Sequence, residues 1–400
     1  MPADDHPVTR AAALQRLAQF VPLAGSRYAT GRNADHGPGH HYAVSRLSAA
    51  IARRTLSETE VLAPVLAAHG AEANSFVSEV FWRSYFKGWL EARPGVWQAW
   101  LGALDRIDAR LAHDDALAAR HLAAIRGETG IDCFDHWMHE LAETGYLHNW
   151  ARMQVASIWV FTLGLPWELG ARHFLAHLID RDAASNTLSW RWVAGLHTRG
   201  KAYLADPGRI ARMTGGRFSP AGLATHARIP DGADHPPAQP PRAVTAPMRD
   251  APALLWITRD DCSLETETML HDLPWRAVAV IDDAADSPGA RADRIACDDA
   301  LARAAAHWGL AHFRVNGPAG LAALATELGV QQVVTARVPV GPGLDPLVAV
   351  RGALRREGIA LAEHLRAWDR AAWPHATRGF FALREQIPML LDAAGLKDLT

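Results

Sequence analysis

Residues 144–192, TGYLHNWARMQVASIWVFTLGLPWELGARHFLAHLIDRDAASNTLSWRW, bring together His148, Asn149, Arg152, Met153, Trp167, Asp180, Asp182, Asn186, Trp190 and Trp192. Tryptophans beside so many polar groups suit a site that stacks a large flat aromatic cofactor and satisfies its polar edge. Arg152 stands in an otherwise apolar run, which is costly unless the cation is paired. Asp180 or Asp182, one helix-hairpin away, is the expected partner, and a purely structural ion pair would produce the same pattern. Glu79, Trp82 and Arg83 are spaced i, i+3, i+4 and share one helix face. A carboxylate, an indole and a guanidinium so placed can stack on a base and bond its edge; a half-buried helix with an i, i+4 ion pair is the plainer reading. Asn149, Arg152 and Met153 repeat that spacing. Trp167, Trp190 and Trp192 are either core fillers or a redox chain.

Other chemistries find less support. The run HGPGHH (36–41) reads as flexible surface histidines rather than a metal tract. His136 and His139 are spaced i, i+3, with no HExxH and no acidic third ligand, so no metal is expected. There is no GxSxG elbow and no cysteine nucleophile with a recognisable partner.

The elements that must position these residues change character along the chain. Residues 8–225 read as almost wholly helical. Thr9–Phe20 is amphipathic, and Ser57-Glu58-Thr59-Glu60 is a capping box. Asn74 is placed as the cap of a helix running through Trp82 to Leu90. Further helices are expected over 135–143, 149–163 and 167–178, with polar loops at 28–43, 181–189 and 205–218. Residues 226–251 are proline-rich and read as an extended linker. From Ala253 short apolar runs at 253–258, 277–281, 312–315, 331–335 and 359–363 alternate with helices near 298–308, 319–328 and 346–357. That is the pattern of a doubly wound parallel α/β domain. Neither GxGxxG nor a P-loop is present. The expected organisation is a helical domain over 1–225, the linker 226–251 and an α/β domain over 252–400.

Composition sets outer bounds. Four hundred residues suggest two or three domains. Ten of the fifteen tryptophans fall between Trp82 and Trp192, which also argues for two domains of different character. A formal charge of −2 gives no global attraction for nucleic acid, though a local basic groove stays compatible with it. Cys133, Cys262 and Cys297 are far apart and argue for a reducing compartment. The amino-terminal residues contain no apolar signal-like run, and the apolar stretch 155–167 is too short to span a bilayer. A cytoplasmic monomer, away from any membrane, is the resulting expectation.

The spaced motifs resemble the flavin domain of the photolyase/cryptochrome superfamily over roughly residues 20–220. TGYLHNWARM, LIDRDAASN and WRW follow one another in the family's order. SRLS (Ser45-Arg46-Leu47-Ser48), with Tyr28 before it, and Glu79-x-x-Trp82-Arg83 precede them. The resemblance implies FAD in a U-shape inside a helical bundle. Tyr28, Ser45, Arg46, Leu47 and Ser48 would surround its phosphates. Arg152 and Asp180 would pair beside the flavin ring, Asp182 would face the ring's polar edge, and Asn186 would lie near N5. Arg83 and Asn149 would also border the cofactor. Glu79, Trp82, Asn149, Met153 and Trp192 would line a cavity for a flipped-out pyrimidine dimer in damaged DNA, and Trp190 and Trp167 would carry electrons during photoreduction.

Departures from the family pattern accompany the match. No tryptophan lies in 112–124, where the family's outermost one falls, so the electron route is shortened or rerouted, with Trp159 or Trp137 as the available rings. Val44 replaces a threonine before SRLS, and Trp150 replaces an arginine after Asn149. Asp135–His139 reads DHWMH for DAAMR, and Thr187-Leu188-Ser189 follow Asn186 in place of Asn-Gly-Gly. LLWITRDD (254–261) and GFFALREQIP (379–388) resemble parts of the α/β antenna domain and of the segment after it, which in the family precede the flavin domain. The expected arrangement is therefore a circular permutation, with any second antenna chromophore unknown. The expected function is FAD-dependent, blue-light splitting of cyclobutane pyrimidine dimers; the alternative is a cryptochrome-like receptor that binds FAD without repairing DNA.

Overall fold

The computed structural model describes residues 7–232, 235–282 and 285–399. Its first two hundred residues form helices. They are α1 (Arg10–Phe20), α2 (Ser26–Gly31), α3 (Ser48–Ala52), α4 (Glu58–His69), α5 (Asn74–Glu91) and α6 (Pro94–Leu111). α7 (Asp115–Arg126), α8 (Asp132–Thr144), α9 (Asn149–Ser157), α10 (Trp167–His177), α11 (Ala183–Val193) and α12 (Pro207–Met213) follow.

Local signals explain most of their ends. Thr9 caps α1, and Ser57 and Glu60 form the reciprocal capping box of α4. Gly145, at φ +66°, ends α8 in the left-handed conformation. Several expectations shift. Asn74 is the first residue of α5 rather than its side-chain cap. The helix expected over 149–163 is α9 followed by a π turn, Ile158–Thr162, where Leu163 N–H reaches Ile158 O at 2.9 Å. The segments expected as polar loops contain α2, most of α11 and α12. In α11 the Asp182 carboxylate accepts from Ser185 N–H at 2.9 Å and so starts a helix where a loop was expected.

The carboxy-terminal body holds five parallel strands: β1 (Ala253–Trp256), β2 (Trp275–Ile281), β3 (Ala311–Val315), β4 (Gln332–Ala336) and β5 (Ala360–His364). Their order is β3-β2-β1-β4-β5, the doubly wound arrangement read from the sequence. Leu255 pairs with Val278 on one side and Val334 on the other. Helix α13 (Pro288–Trp308) covers one face. α14 (Gly317–Glu327) and α15 (Leu344–Arg356) cover the other.

Three short helices close the chain: α16 (Ala367–Ala372), α17 (Phe380–Arg384) and α18 (Ile387–Ala393). They follow the sheet in sequence but pack elsewhere. Trp368, Ala372, Phe380, Leu383, Leu390 and Leu396 all join the core of the helical body. Within the proline-rich segment, residues 235–251 contain no helix or strand and are docked on both bodies. Gln239 N–H bonds Ala92 O, and the Arg242 guanidinium makes two 2.6 Å bonds to Glu363.

The two bodies meet where β1 and β4 end. The Glu91 carboxylate, at the end of α5, accepts from Arg337 Nη2 and Val340 N–H, both at 2.6 Å. In a doubly wound sheet this crevice is the usual ligand position; here α5 and the start of α11 press into it, with Ala183 Cβ close to Gly341. No helix among the described residues is long and apolar enough to cross a membrane.

A candidate flavin site in the helical body

Helices α5 and α9 bring Arg83 and Arg152 to the two aspartates that precede α11. Arg152 on α9 reaches the Asp180 carboxylate at 2.9 Å and also donates to Leu147 O at 2.9 Å. Arg83 on α5 pairs with Asp182, the cap of α11. Two arginines from two helices therefore grip two aspartates of one short loop. Burial by itself would raise both aspartate pKa values. For Asp180, Arg152 and then Arg83 outweigh burial and hold the carboxyl below its usual range. For Asp182, Arg83, Lys87 and the Ser185 N–H do the same. Between them Arg181 sits at φ +40°, a conformation non-glycine residues rarely adopt. That backbone turn sends Asp180 and Asp182 into the helical body and Arg181 toward Asp293 of α13.

The outer rim is more accessible. Glu79, Trp82, Met153 and Trp192 are half-buried and Asn149 is exposed. Glu79 pairs with Arg32, not with Arg83 one turn on. Trp82 stacks on Phe380. Trp192 lies against Tyr203, whose hydroxyl meets Gln154 Nε2 of α9 at 2.7 Å. Asn186 is fixed by donating from Nδ2 to Ala171 O at 2.8 Å.

Trp190 and Trp167 are both buried. Trp190 lies within helix α11, not directly after a loop. Its ring meets Trp159 edge to face at 6.0 Å and Phe174 at 5.1 Å. Gly170 makes room for it, because a Cβ there would stand 2.2 Å from Trp190 Cη2. Trp167 lies under the Arg191 guanidinium. Trp137 is elsewhere, bonded through Nε1 to Asp35 and edge-on to Trp150.

The SRLS turn is pinned from behind, with Arg16 donating to the carbonyls of Val44 and Ser45. Arg46 sits at φ +56°, Leu47 is fully buried, and Ser48 opens α3. Tyr28 is buried edge-on against Phe20 and Phe76. Burial first and nearby Glu79 second push its hydroxyl pKa well up, against Arg32.

Sequence reasoning missed the residue that links these groups. Tyr146 feels the charges of Arg152, Glu140, Arg46 and Asp180, and burial pushes its hydroxyl up to about 12. Arg152 also lies 5.9 Å over its ring. Tyr146 was visible in TGY, but no charge or spacing marked it. His148 was missed in its detail. Its Nδ1 accepts from Trp150 N–H at 3.2 Å, and its buried Nε2 has no partner among the described residues. Burial, aided by His41 and Arg152 against Asp35, pushes its pKa down to about 4, so the ring is neutral at pH 7.

The donor set fits FAD. Ser45, Ser48 and Arg46 offer hydroxyls and a cation suited to a diphosphate. Asp180 and Asp182 offer fixed carboxylates for the N–H and hydroxyl groups of the ring and its chain. The neutral His148 adds an unsatisfied buried N–H. Two surface cavities lie away from this set. One of about 440 Å³ is on α14 and α15, and one of about 260 Å³ lies between α4, α16 and α18.

Residues 76–230 match the family model described as the FAD binding domain of DNA photolyase. Over these residues the helical body is similar to the photolyase/cryptochrome superfamily. FAD is the cofactor that goes with this domain. A deoxyribodipyrimidine photo-lyase of Streptomyces griseus is 33% identical over 228 residues, 54% of this chain and 48% of the relative. The photo-lyase of Escherichia coli is 30% identical over 205 residues, 49% of this chain and 41% of the relative. A photo-lyase of Thermus thermophilus is 32% identical over 235 residues, 57% of this chain and 52% of the relative. A bacterial class III photolyase structure from Agrobacterium tumefaciens aligns at 25% identity and TM-score 0.40, over 52% of this chain and 43% of that one. The chain spans about half the length of the curated relatives it matches.

Proposed function

We propose that this chain is a light-driven DNA lyase that uses FAD to split cyclobutane pyrimidine dimers. The observation that carries the reading is the double arginine–aspartate lock. Arg152–Asp180 and Arg83–Asp182 tie α5 and α9 to the loop before α11, and we read Glu79 and Trp82 on α5 as sharing one lesion-facing rim with Asn149, Met153 and Trp192.

FAD, when bound and reduced, would supply the light-driven one-electron chemistry needed to open the dimer. The chain's own residues do the rest. Trp82 stacks a flipped base, an interaction worth about 1–3 kcal/mol per base. Glu79 turns from Arg32 to bond a thymine edge where charge develops. Asn149, Met153 and Trp192 exclude water from the rest of the lesion. Asp182 and Asn186 face the polar side of the flavin ring, and Tyr28 with the SRLS turn takes the phosphate end. Trp190 and Trp167 pass electrons inward, and Trp159, edge-on to Trp190, is a further ring available to that route.

Support for DNA as the partner also comes from a local charge bias that net charge hides. Residues 199–228 contain six basic residues, Arg199, Lys201, Arg209, Arg212, Arg217 and Arg228, against one acid, Asp206. All six basic residues are exposed, as phosphate contacts require. We place the protein in the cytoplasm, acting as a monomer. We also read the domain order as a circular permutation, since the α/β body follows the flavin-type helical body in this sequence.

The test is blue-light splitting of a dimer-containing oligonucleotide by the purified, reduced protein. Splitting above the dark control supports the reading. Flavin photoreduction without any splitting assigns a light receptor instead.

A further inference from the structure

The carboxy-terminal helices grip the outward stripe of α5, the helix that carries Glu79, Trp82 and Arg83. Trp368 lies on Phe81 with centroids 4.9 Å apart and donates from Nε1 to Ser84 Oγ at 2.8 Å. Trp373 seats on Gly88, where a Cβ would stand 2.8 Å from the indole. Between them Phe380 meets Trp82 face to face, with centroids 3.7 Å apart and planes 11° from parallel.

That contact differs from the others around it. Tyr85 is edge-on to Trp82 at 87°, and Phe86 is tilted at 37°. Phe380 itself is 5% exposed and edge-on to Tyr85, while its neighbour Phe381 is 67% exposed. One face of the indole is therefore closed, its sides are hemmed by two rings, and Trp82 remains half-exposed. A base joining Trp82 would extend a stack that already ends on a fixed ring. Contact across the whole ring face limits how far the indole can tilt, and a preorganised platform binds more tightly because less ordering remains to be done on binding.

We infer that Phe380 is a positioning residue for Trp82, and that the carboxy-terminal helices form the back wall of the base-stacking platform. This rests on the reading of Trp82 as the side chain that stacks the lesion. Phe380 never touches the base. It acts by holding the indole plane. A ring that instead filled the lesion's own place would have the opposite effect on binding.

The experiment uses the full flavin-loaded chain labelled with 5-fluorotryptophan. The Trp82 fluorine resonance is assigned by its loss in Trp82→Phe. Phe380→Ala is expected to broaden or split that resonance. It is also expected to weaken dark binding of a dimer-containing oligonucleotide by about threefold to tenfold, with binding of undamaged DNA unchanged. Phe380→Tyr, which keeps the stack, should restore both. If Phe380→Ala loses flavin or its thermal midpoint collapses, Phe380→Leu, which keeps the apolar volume, takes its place with the same expectations. An unchanged Trp82 resonance, or dimer binding that is unchanged or tighter, overturns the inference. Wild-type protein that fails to prefer dimer-containing DNA overturns the repair reading instead, and the fluorine resonance still decides whether Phe380 positions Trp82.

Discussion

At the scale of residues, the site depends on cations that burial would not tolerate alone. Arg152 is the clearest case. An arginine in an apolar run demands an acid, and Asp180 answers it at 2.9 Å. That much was legible because a short apolar hairpin separates the two. Arg32 and Glu79 lie 47 residues apart, one just after α2 and the other on α5, and nothing in the intervening sequence says that these helices touch. Asp180→Ala would leave Arg152 without its counter-charge. We expect it to lower flavin content in the purified protein several-fold, read from absorbance near 450 nm. Gly170→Ala tests the packing around Trp190. A Cβ placed 2.2 Å from that indole forces the ring or α10 to move, with an expected loss of about 1–3 kcal/mol, measured by denaturant unfolding.

At the scale of elements, boundaries follow caps more closely than polarity. Ser57 and Glu60 could be read directly as a reciprocal cap, and α4 starts there. The run after Asp182 is Ala-Ala-Ser-Asn, polar enough to suggest a loop, yet Asp182 with Ser185 three residues on is itself a capping pattern. The π turn at Ile158–Thr162 left no mark in a uniformly apolar stretch. Helices α16 to α18 are five to seven residues long, too short to display a 3.6-residue period, so the docking of α16 and α17 on α5 had no sequence signal beyond the aromatic residues themselves. Ser57→Ala removes one half of a capping box. It should cost about 1 kcal/mol, seen as a lower unfolding midpoint with flavin content unchanged.

At the scale of the whole molecule, the alternation of strands and helices was plain from composition, and the parallel order follows from it. The contact between the bodies was not, because it is made by charges that any surface could carry. Asp293 of α13 receives Arg53 at 2.6 Å, Arg181 at 2.6 Å and Arg259 at 3.0 Å. Arg53 is fully buried. Asp293→Ala would leave three arginines facing one another, and a loss of about 3–5 kcal/mol is expected, detected as a lowered thermal midpoint.

The same carboxylates set the acid limit. In Asp180, Asp182 and Asp293 burial raises the pKa, but the neighbouring arginines lower it by more. Their folded values therefore lie below the unfolded value of about 3.9. Their contribution is fully present above that pH and is lost as pH falls through the folded values. The thermal midpoint should hold from pH 7 to about 5 as far as these groups decide it, then fall steeply below about 4. A midpoint that rises on acidification across that lower window would contradict the assignment.

The account turns on FAD held in the helical body beside Arg152 and Asp180. The most direct measurement is the amount of FAD released on denaturation per chain, compared between the wild type and Arg152→Ala, with Arg291→Ala, at an exposed position of α13, as a control. The expected result is about one FAD per chain in the wild type and the control, and a small fraction of that in Arg152→Ala, given the loss of a buried charge partner. Equal flavin in all three, or none in the wild type after supplementation with FAD, would contradict it.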